Sequence, residues 1–122
     1  MKIALITGCS GLVGTYLAKK CVENGYKTIG VDLKGSEFLP RSENFIFEYR
    51  NLLNDGEIHD LFNKYKFDVV FNCFGIKGSP IRAKTQPVDF LYPSFKINTE
   101  IINQCSKRNI WLVFMSSVGV YS

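Results

Sequence analysis

The chain is poor in the residues that build metal centres, disulfide frameworks and membrane spans. It has one histidine, His59, which sits between Glu57 and Asp60 on a helical pattern without metal-ligand spacing. Its four cysteines, at 9, 21, 73 and 105, form no C-x-x-C pair, and each falls inside an apolar strand or helix pattern. Buried, reduced thiols are therefore expected, and no metal site. No apolar run approaches membrane-span length. The short run after Met1 ends in a glycine turn instead of a signal-peptide cleavage site. Repeats and low-complexity tracts are absent. The net charge of +4 is mild and carries no long basic run, which argues against nucleic-acid binding. The expectation is a cytoplasmic globular protein with neither nucleic acid nor membrane as partner. At 122 residues it is one domain with a sizeable core.

What is present begins at Ile3-Ala4-Leu5-Ile6-Thr7, an apolar run followed by Gly8, Gly11 and Gly14 at a spacing of three. A helical stripe of Val13, Gly14, Leu17, Ala18, Cys21 and Val22 follows and ends at Asn24-Gly25. Strand, side-chain-free turn and helix N-terminus together form a corner suited to a phosphate. Lys27–Asp32 reads as a second strand, and a loop broken by Gly35 and Pro40 follows it. Asn44–Tyr49 reads as a third strand, with Phe45, Phe47 and Tyr49 on one side. Asn54 is the expected cap of a helix with Glu57 at the capping-box position and Ile58, Leu61, Phe62 and Tyr65 as its apolar face. Phe67–Phe74 reads as a strand buried on both faces.

Residues 75–93 form the longest irregular segment, with three prolines and the cations Lys77, Arg82 and Lys84. A helix is expected from about Pro93, burying Ile97, Ile101, Ile102 and Cys105 and closing at Lys107, Arg108 and Asn109. Ile110–Met115 is a fifth strand, in which Trp111 is expected to pack, and it runs into Ser116-Ser117. Alternating strands and helices predict an α/β protein, a Rossmann-type doubly wound parallel sheet of five strands in the order 3-2-1-4-5. Its switch point lies between strands 1 and 4, where ligands bind at the carboxyl ends of strands. The glycine turn, Asp32, the Asn72–Lys77 segment and Ser116-Ser117 all converge there.

Asp32 stands eighteen residues beyond Gly14 at the end of the second strand. That is the context a dinucleotide site requires. A carboxylate there accepts both hydroxyls of an adenosine ribose and repels a 2′-phosphate, which favours NAD over NADP, with Lys34 near enough to soften the preference. The bland alternative is a tight turn beside a solvated Asp.

Thr7-Gly8-x-x-Gly11-x-x-Gly14 resembles the fingerprint of the extended short-chain dehydrogenase/reductase family, which includes the NAD-dependent sugar-nucleotide epimerases and dehydratases. Val31-Asp32-Leu33, the segment Asp68–Gly75 and the run Phe114–Tyr121, with its S-S-x-x-V-Y pattern, agree with it along the whole chain. The resemblance implies that Gly8, Ser10, Gly11 and Gly14 shape the turn and that Leu12 and Val13 present N–H groups to the pyrophosphate. It implies that Asp32, with Leu33, binds the adenosine ribose and that Asn51 and Leu52 lie beside the adenine. Cys73, Phe74 and Gly75 pass under the cofactor, Lys77 approaches the nicotinamide side, and Ser117 hydrogen-bonds the hydroxyl of a nucleotide-sugar substrate.

The sequence departs from the family at Asn51, where an aspartate is usual, and at Phe74, where a small residue is usual and crowding is expected. The family's helix asparagine falls at Ser94 or one turn later at Asn98, and neither is assigned a role. The family's Y-x-x-x-K pair belongs to a helix after the serine strand. The pairs Tyr16–Lys20 and Tyr92–Lys96 are misplaced for it, and Tyr121 belongs to the serine motif. The chain is thus expected to be the NAD-binding portion of such a protein, truncated before the later strands and substrate domain and unable to complete turnover alone. A non-catalytic NAD(P)-binding sensor or interaction module is the alternative, and a remnant that binds nothing is the third reading. A homo-oligomer through the exposed edge of strand five is also expected.

Overall fold

The computed structural model describes residues 1–74 and 95–115 in full and the backbone of residues 87–94. Five strands form one parallel sheet: β1 (Ile3–Thr7), β2 (Lys27–Asp32), β3 (Phe45–Tyr49), β4 (Val69–Asn72) and β5 (Trp111–Phe114). Their order is β3-β2-β1-β4-β5, as the alternation of strand and helix patterns predicts. The helices are α1 (Leu12–Glu23), α2 (Glu57–Lys64) and α3 (Pro87–Arg108). None of them is long and apolar enough to cross a membrane among the described residues.

The pleat sorts the apolar runs into two cores. Leu5, Ile29, Val31 and Val70 face one side, where Ile58, Leu61 and Phe62 of α2 and Ile97, Ile101 and Cys105 of α3 cover them. Ala4 and Ile6 face the other, with Ala18 and Cys21 of α1 and with Cys9 and Cys73 from the strand ends. A sheet covered on both faces explains why β1 and β4 read as continuous apolar runs rather than alternating ones. All four cysteines are free and buried.

Several element boundaries differ from the expected ones. β4 is shorter than the apolar run because its ladder with β1 spans only Val69–Asn72. Phe67 lies just before it and packs edge-on against Phe62 at 5.3 Å, while Asp68 clasps Ile3 through backbone and carboxylate. The cap of α2 is not Asn54 but Gly56, which sits at φ +86, a left-handed conformation that favours glycine. Asn54 forms the preceding turn, accepting from the Glu57 N–H, and the Glu57 carboxylate reaches Arg50 at 2.8 Å instead of closing a capping box. α3 starts at Pro87, six residues earlier than expected, because a proline is tolerated where the first-turn N–H has no partner. Its other end closes at Asn109, at φ 55, as the sequence suggests.

In β3, Phe45 and Phe47 pack toward the α1 side as expected, whereas Tyr49 at the strand end is exposed. Ile102 is half-exposed instead of buried. Trp111 is 74% exposed on the edge strand and packs little. His59 is exposed on α2 beside Asn63.

The outer edge of the sheet is tied to α2 by charge. Glu48 of β3 accepts from Arg50 at 2.8 Å, from Lys64 at 2.9 Å and from the Tyr65 hydroxyl. Burial pushes this carboxyl up from its ordinary 4.5. The hydrogen bonds from Tyr65, Lys64 and Arg50 and the charge of Arg50 outweigh burial and hold it at about 2. Its stabilising contribution is therefore complete above pH 4.5 and is lost as pH falls from 4.5 toward 2. Urea unfolding across that window is expected to show stability falling with acid in the native chain. Glu48→Gln is expected to be less stable at pH 7 and to converge with the native chain near pH 2.

Candidate functional site

The carboxyl ends of β1, β2 and β4 meet at the switch point of the sheet, since the chain runs outward from β1 to β3 and then returns to β4 on the other side of β1. After Thr7 the backbone turns at Gly8, which has φ +65 and donates its N–H to Val31 O at 2.9 Å. A Cβ on Gly8 would lie 3.2 Å from the carbonyl of Cys73, so the exit of β4 passes directly against the turn. Gly11 N–H returns to Gly8 O at 3.2 Å, and Thr15 donates its amide to Gly11 O and its hydroxyl to Cys9 O.

α1 then starts with Gly11 as its cap, without a side-chain capping bond and without an acidic residue in its first turn. The positive end of the helix therefore has no side-chain cap and no acidic residue of its own first turn against it. Gly14 lets the helix sit this close: a Cβ there would be 2.3 Å from Gly8 O. Leu12 is 91% exposed, so only its backbone belongs to the turn.

Asp32 closes the site from β2. One carboxylate oxygen accepts from Ser10 N–H at 3.0 Å and the other from Leu33 N–H at 2.7 Å. The Ser10 hydroxyl donates to Lys34 O at 2.6 Å. Beside Asp32 runs a narrow cleft of about 70 Å³. Gly8, Asp32, Leu33, Asn51, Leu52 and Phe74 all line it, so six of the residues singled out from the sequence are brought to one place. Phe74 packs on the α2–α3 core and forms one wall. The Asn51 side chain accepts from Leu53 N–H at 3.1 Å, which orders the loop at the cleft's mouth.

On the outer side of the turn, a shallower groove of about 510 Å³ runs between Ser10, Leu12 and Tyr16 and the loop residue Phe38. Another hollow, of about 480 Å³, lies between α2 and α3 and shares only Leu52 with the predicted site.

Cys73 is a neutral thiol. Burial, and secondarily the charge of Cys21, push it up to about 12; burial alone raises Cys21 and takes Cys105 to about 11. Gly75, Lys77, Ser116, Ser117 and Tyr121, with the loop cations Arg82 and Lys84, lie outside the described residues, as do the side chains of Tyr92 and Ser94. Lys96 donates to Leu53 O at 2.9 Å and reaches Asp55 at 3.3 Å, and Lys20 lies over the Tyr16 ring and beside Glu23, so neither lysine faces the cleft.

A buried polar network under the site escapes a sequence reading. The Thr7 hydroxyl donates to Asn72 Oδ1 at 2.5 Å and accepts from Cys73 N–H at 3.1 Å. Asn72 Nδ2 donates to Asn98 Oδ1 at 2.8 Å. The ends of β1 and β4 are thereby fastened to α3, and Asn98 gains a positioning role. The sequence hints at it through a polar residue closing each of two apolar runs and through Asn98 as a position for the family's helix asparagine. Arg50 also lines the cleft, held by Glu48 and Glu57.

The sheet order and the crossover at β1 define an α/β protein of the doubly wound class. The model of the NAD dependent epimerase/dehydratase family matches residues 4–122, and the chain belongs to that family. It is similar to the UDP-glucose 4-epimerases of Homo sapiens, 28% identical over 96% of this chain, and Mus musculus, 26% identical over 99%. It spans 38% and 39% of their lengths, well under half of the curated relatives it matches. Among solved structures, an epimerase from Methanothermobacter thermautotrophicus superposes with a TM-score of 0.82 at 21% identity, over 93% of this chain and 34% of that one. The Bordetella bronchiseptica enzyme WbmH in complex with NAD+ gives 0.69 at 20% identity, over 90% and 37%. Both likenesses are of fold.

Two substitutions test the geometry. Gly14→Ala forces a methyl into the Gly8 carbonyl and is expected to cost about 3 kcal/mol in urea unfolding. Thr7→Val conserves shape but removes the hydroxyl donor to Asn72 Oδ1 and leaves the Cys73 amide only the Thr7 backbone carbonyl at 3.2 Å, and is expected to cost about 1–3 kcal/mol.

Proposed function

We propose that residues 1–122 are an NAD-binding Rossmann domain, the cofactor-binding portion of a nucleotide-sugar epimerase or dehydratase. The observation that carries this reading is the convergence of the glycine turn, Asp32 and the Asn51–Leu52 and Cys73–Phe74 segments on one cleft at the switch point. The residues suit the cofactor chemically. Gly8 and Gly14 leave the turn without side chains where a Cβ would clash, and the first turn of α1 supplies N–H donors for a pyrophosphate. Asp32 supplies the acceptor for a ribose diol. Leu33, Leu52 and Phe74 offer apolar walls to the adenine, with Asn51 at its edge.

The family pattern alone gives Gly75 a role under the cofactor, Lys77 one on the nicotinamide side and Ser117 a hydrogen bond to a substrate hydroxyl. Bound NAD supplies a hydride acceptor. This chain's own contribution is to bind it, orient it and exclude water from its adenosine end. A nucleotide-sugar substrate for the larger protein belongs to this reading, as does a homo-oligomer through the edge of β5.

Calorimetric titration of the chain with NAD and NADP tests the proposal. NAD is expected to bind more tightly than NADP, and Asp32→Ala is expected to weaken NAD about tenfold and abolish the preference. Absence of binding to either at millimolar concentration would overturn it.

A further inference from the structure

We propose that Ser10 is a positioning residue for cofactor choice, a clasp that holds Asp32 and the loop behind it in the arrangement that accepts a ribose diol. The inference rests on the reading of Asp32 as the ribose acceptor and assigns Ser10 a part different from phosphate contact. Three hydrogen bonds carry it. The Ser10 amide donates to one oxygen of the Asp32 carboxylate at 3.0 Å, and the Leu33 amide donates to the other at 2.7 Å. The Ser10 hydroxyl donates to Lys34 O at 2.6 Å, closing a ring that runs from the glycine turn through Asp32, Leu33 and Lys34 and back.

A carboxylate oxygen has room for more than one donor. With one of these amides on each oxygen, backbone groups set the plane of the Asp32 carboxylate. The hydroxyl of Ser10 acts at one remove. By holding the carbonyl of Lys34 it fixes the Lys34–Gly35 peptide and so limits how far the short Asp32–Leu33–Lys34 segment, which carries the Leu33 amide, can move. It also fixes where the Lys34 side chain leaves the backbone. Lys34 is exposed and one residue beyond Leu33, so its ammonium is the cation nearest in sequence to the ribose end. With the clasp closed, the loop presents carboxylate to the ribose. With the hydroxyl removed, the loop is free to bring Lys34 toward a 2′-phosphate and to turn the carboxylate away.

The test is calorimetric titration of the native chain, Ser10→Ala and Ser10→Thr with NAD and with NADP. A second measurement follows amide hydrogen exchange on the cofactor-free proteins. Ser10→Ala is expected to weaken NAD about fivefold and to leave NADP unchanged or tighter, so that the NAD-to-NADP affinity ratio falls. Ser10→Thr, which keeps a hydroxyl, is expected to retain the native ratio. Without cofactor, the Leu33 amide is expected to exchange faster in Ser10→Ala than in the native chain, with the strands of the sheet unchanged. A Ser10→Ala chain that weakens both cofactors equally would overturn the proposal, since the hydroxyl would then serve the shared pyrophosphate or the stability of the turn. Unchanged affinities or unchanged Leu33 exchange would overturn it as well. A native chain that binds neither dinucleotide overturns the cofactor reading and the selectivity drawn from it, whereas the exchange measurement judges the clasp by itself.

Discussion

The contact on which the structure depends is the seating of α1 against the glycine turn. With 2.3 Å between a would-be Cβ on Gly14 and Gly8 O, no side chain of any size fits between helix and turn. This contact aims the helix N-terminus at the end of β1. Neighbouring positions show the same economy of space. A Cβ on Gly8 would press on the Cys73 carbonyl, and one on Gly30 would lie 2.8 Å from both Cys9 Sγ and the Phe45 ring. The turn therefore rests on β2 below and on the exit of β4 beside it. Three backbone segments meet without intervening side chains, and the cleft beside Asp32 is the space left at their junction.

Close approach alone does not hold strand ends in register, because the ends of a parallel ladder expose polar groups that must be satisfied. Here the Thr7–Asn72–Asn98 chain supplies the partners from within, joining β1, β4 and α3 in one buried set of hydrogen bonds. At the other edge the Glu48–Arg50–Glu57 pairing fixes β3 to the start of α2, and the same arginine forms part of the cleft. Both devices bear on the site from outside it. One sets the height of the strand ends, and the other sets the wall that faces Asp32.

How much of this a sequence can disclose follows from the range of each interaction. β1, β2 and α1 are legible because their signals are local: an apolar run, glycines at fixed spacing and a carboxylate at the end of the next strand. The strand order is legible because alternation of strands and helices leaves few right-handed solutions. The start of α2 is not, since Asn54 is as good a cap as Gly56 until the backbone of residue 56 is known to be left-handed. The start of α3 misleads because both Pro87 and Pro93 satisfy the same local rule, and the helix passes through the second. Trp111 looks like a core residue because its neighbours are apolar, but exposure at a sheet edge is decided by what lies alongside. Of the site, the glycine turn, Asp32 and the Asn51–Leu52 and Cys73–Phe74 segments are legible as candidates. The bond from Asn72 to Asn98 and the one from Ser10 to Lys34 are not, because each joins residues more than twenty positions apart.

Ser10 belongs at once to the glycine turn and to the group that orders Asp32. In the proposed reading the phosphate end of the site and its ribose end meet at Ser10, with no long, flexible side chain between them. A site whose groups are held by backbone amides is ordered before a ligand arrives and avoids much of the entropy loss that mobile side chains would add on binding. The two departures in the cleft, Asn51 and Phe74, take no part in the hydrogen bonds among Ser10, Asp32 and Leu33, so in the proposed reading they bear on how an adenine would be held and not on that frame.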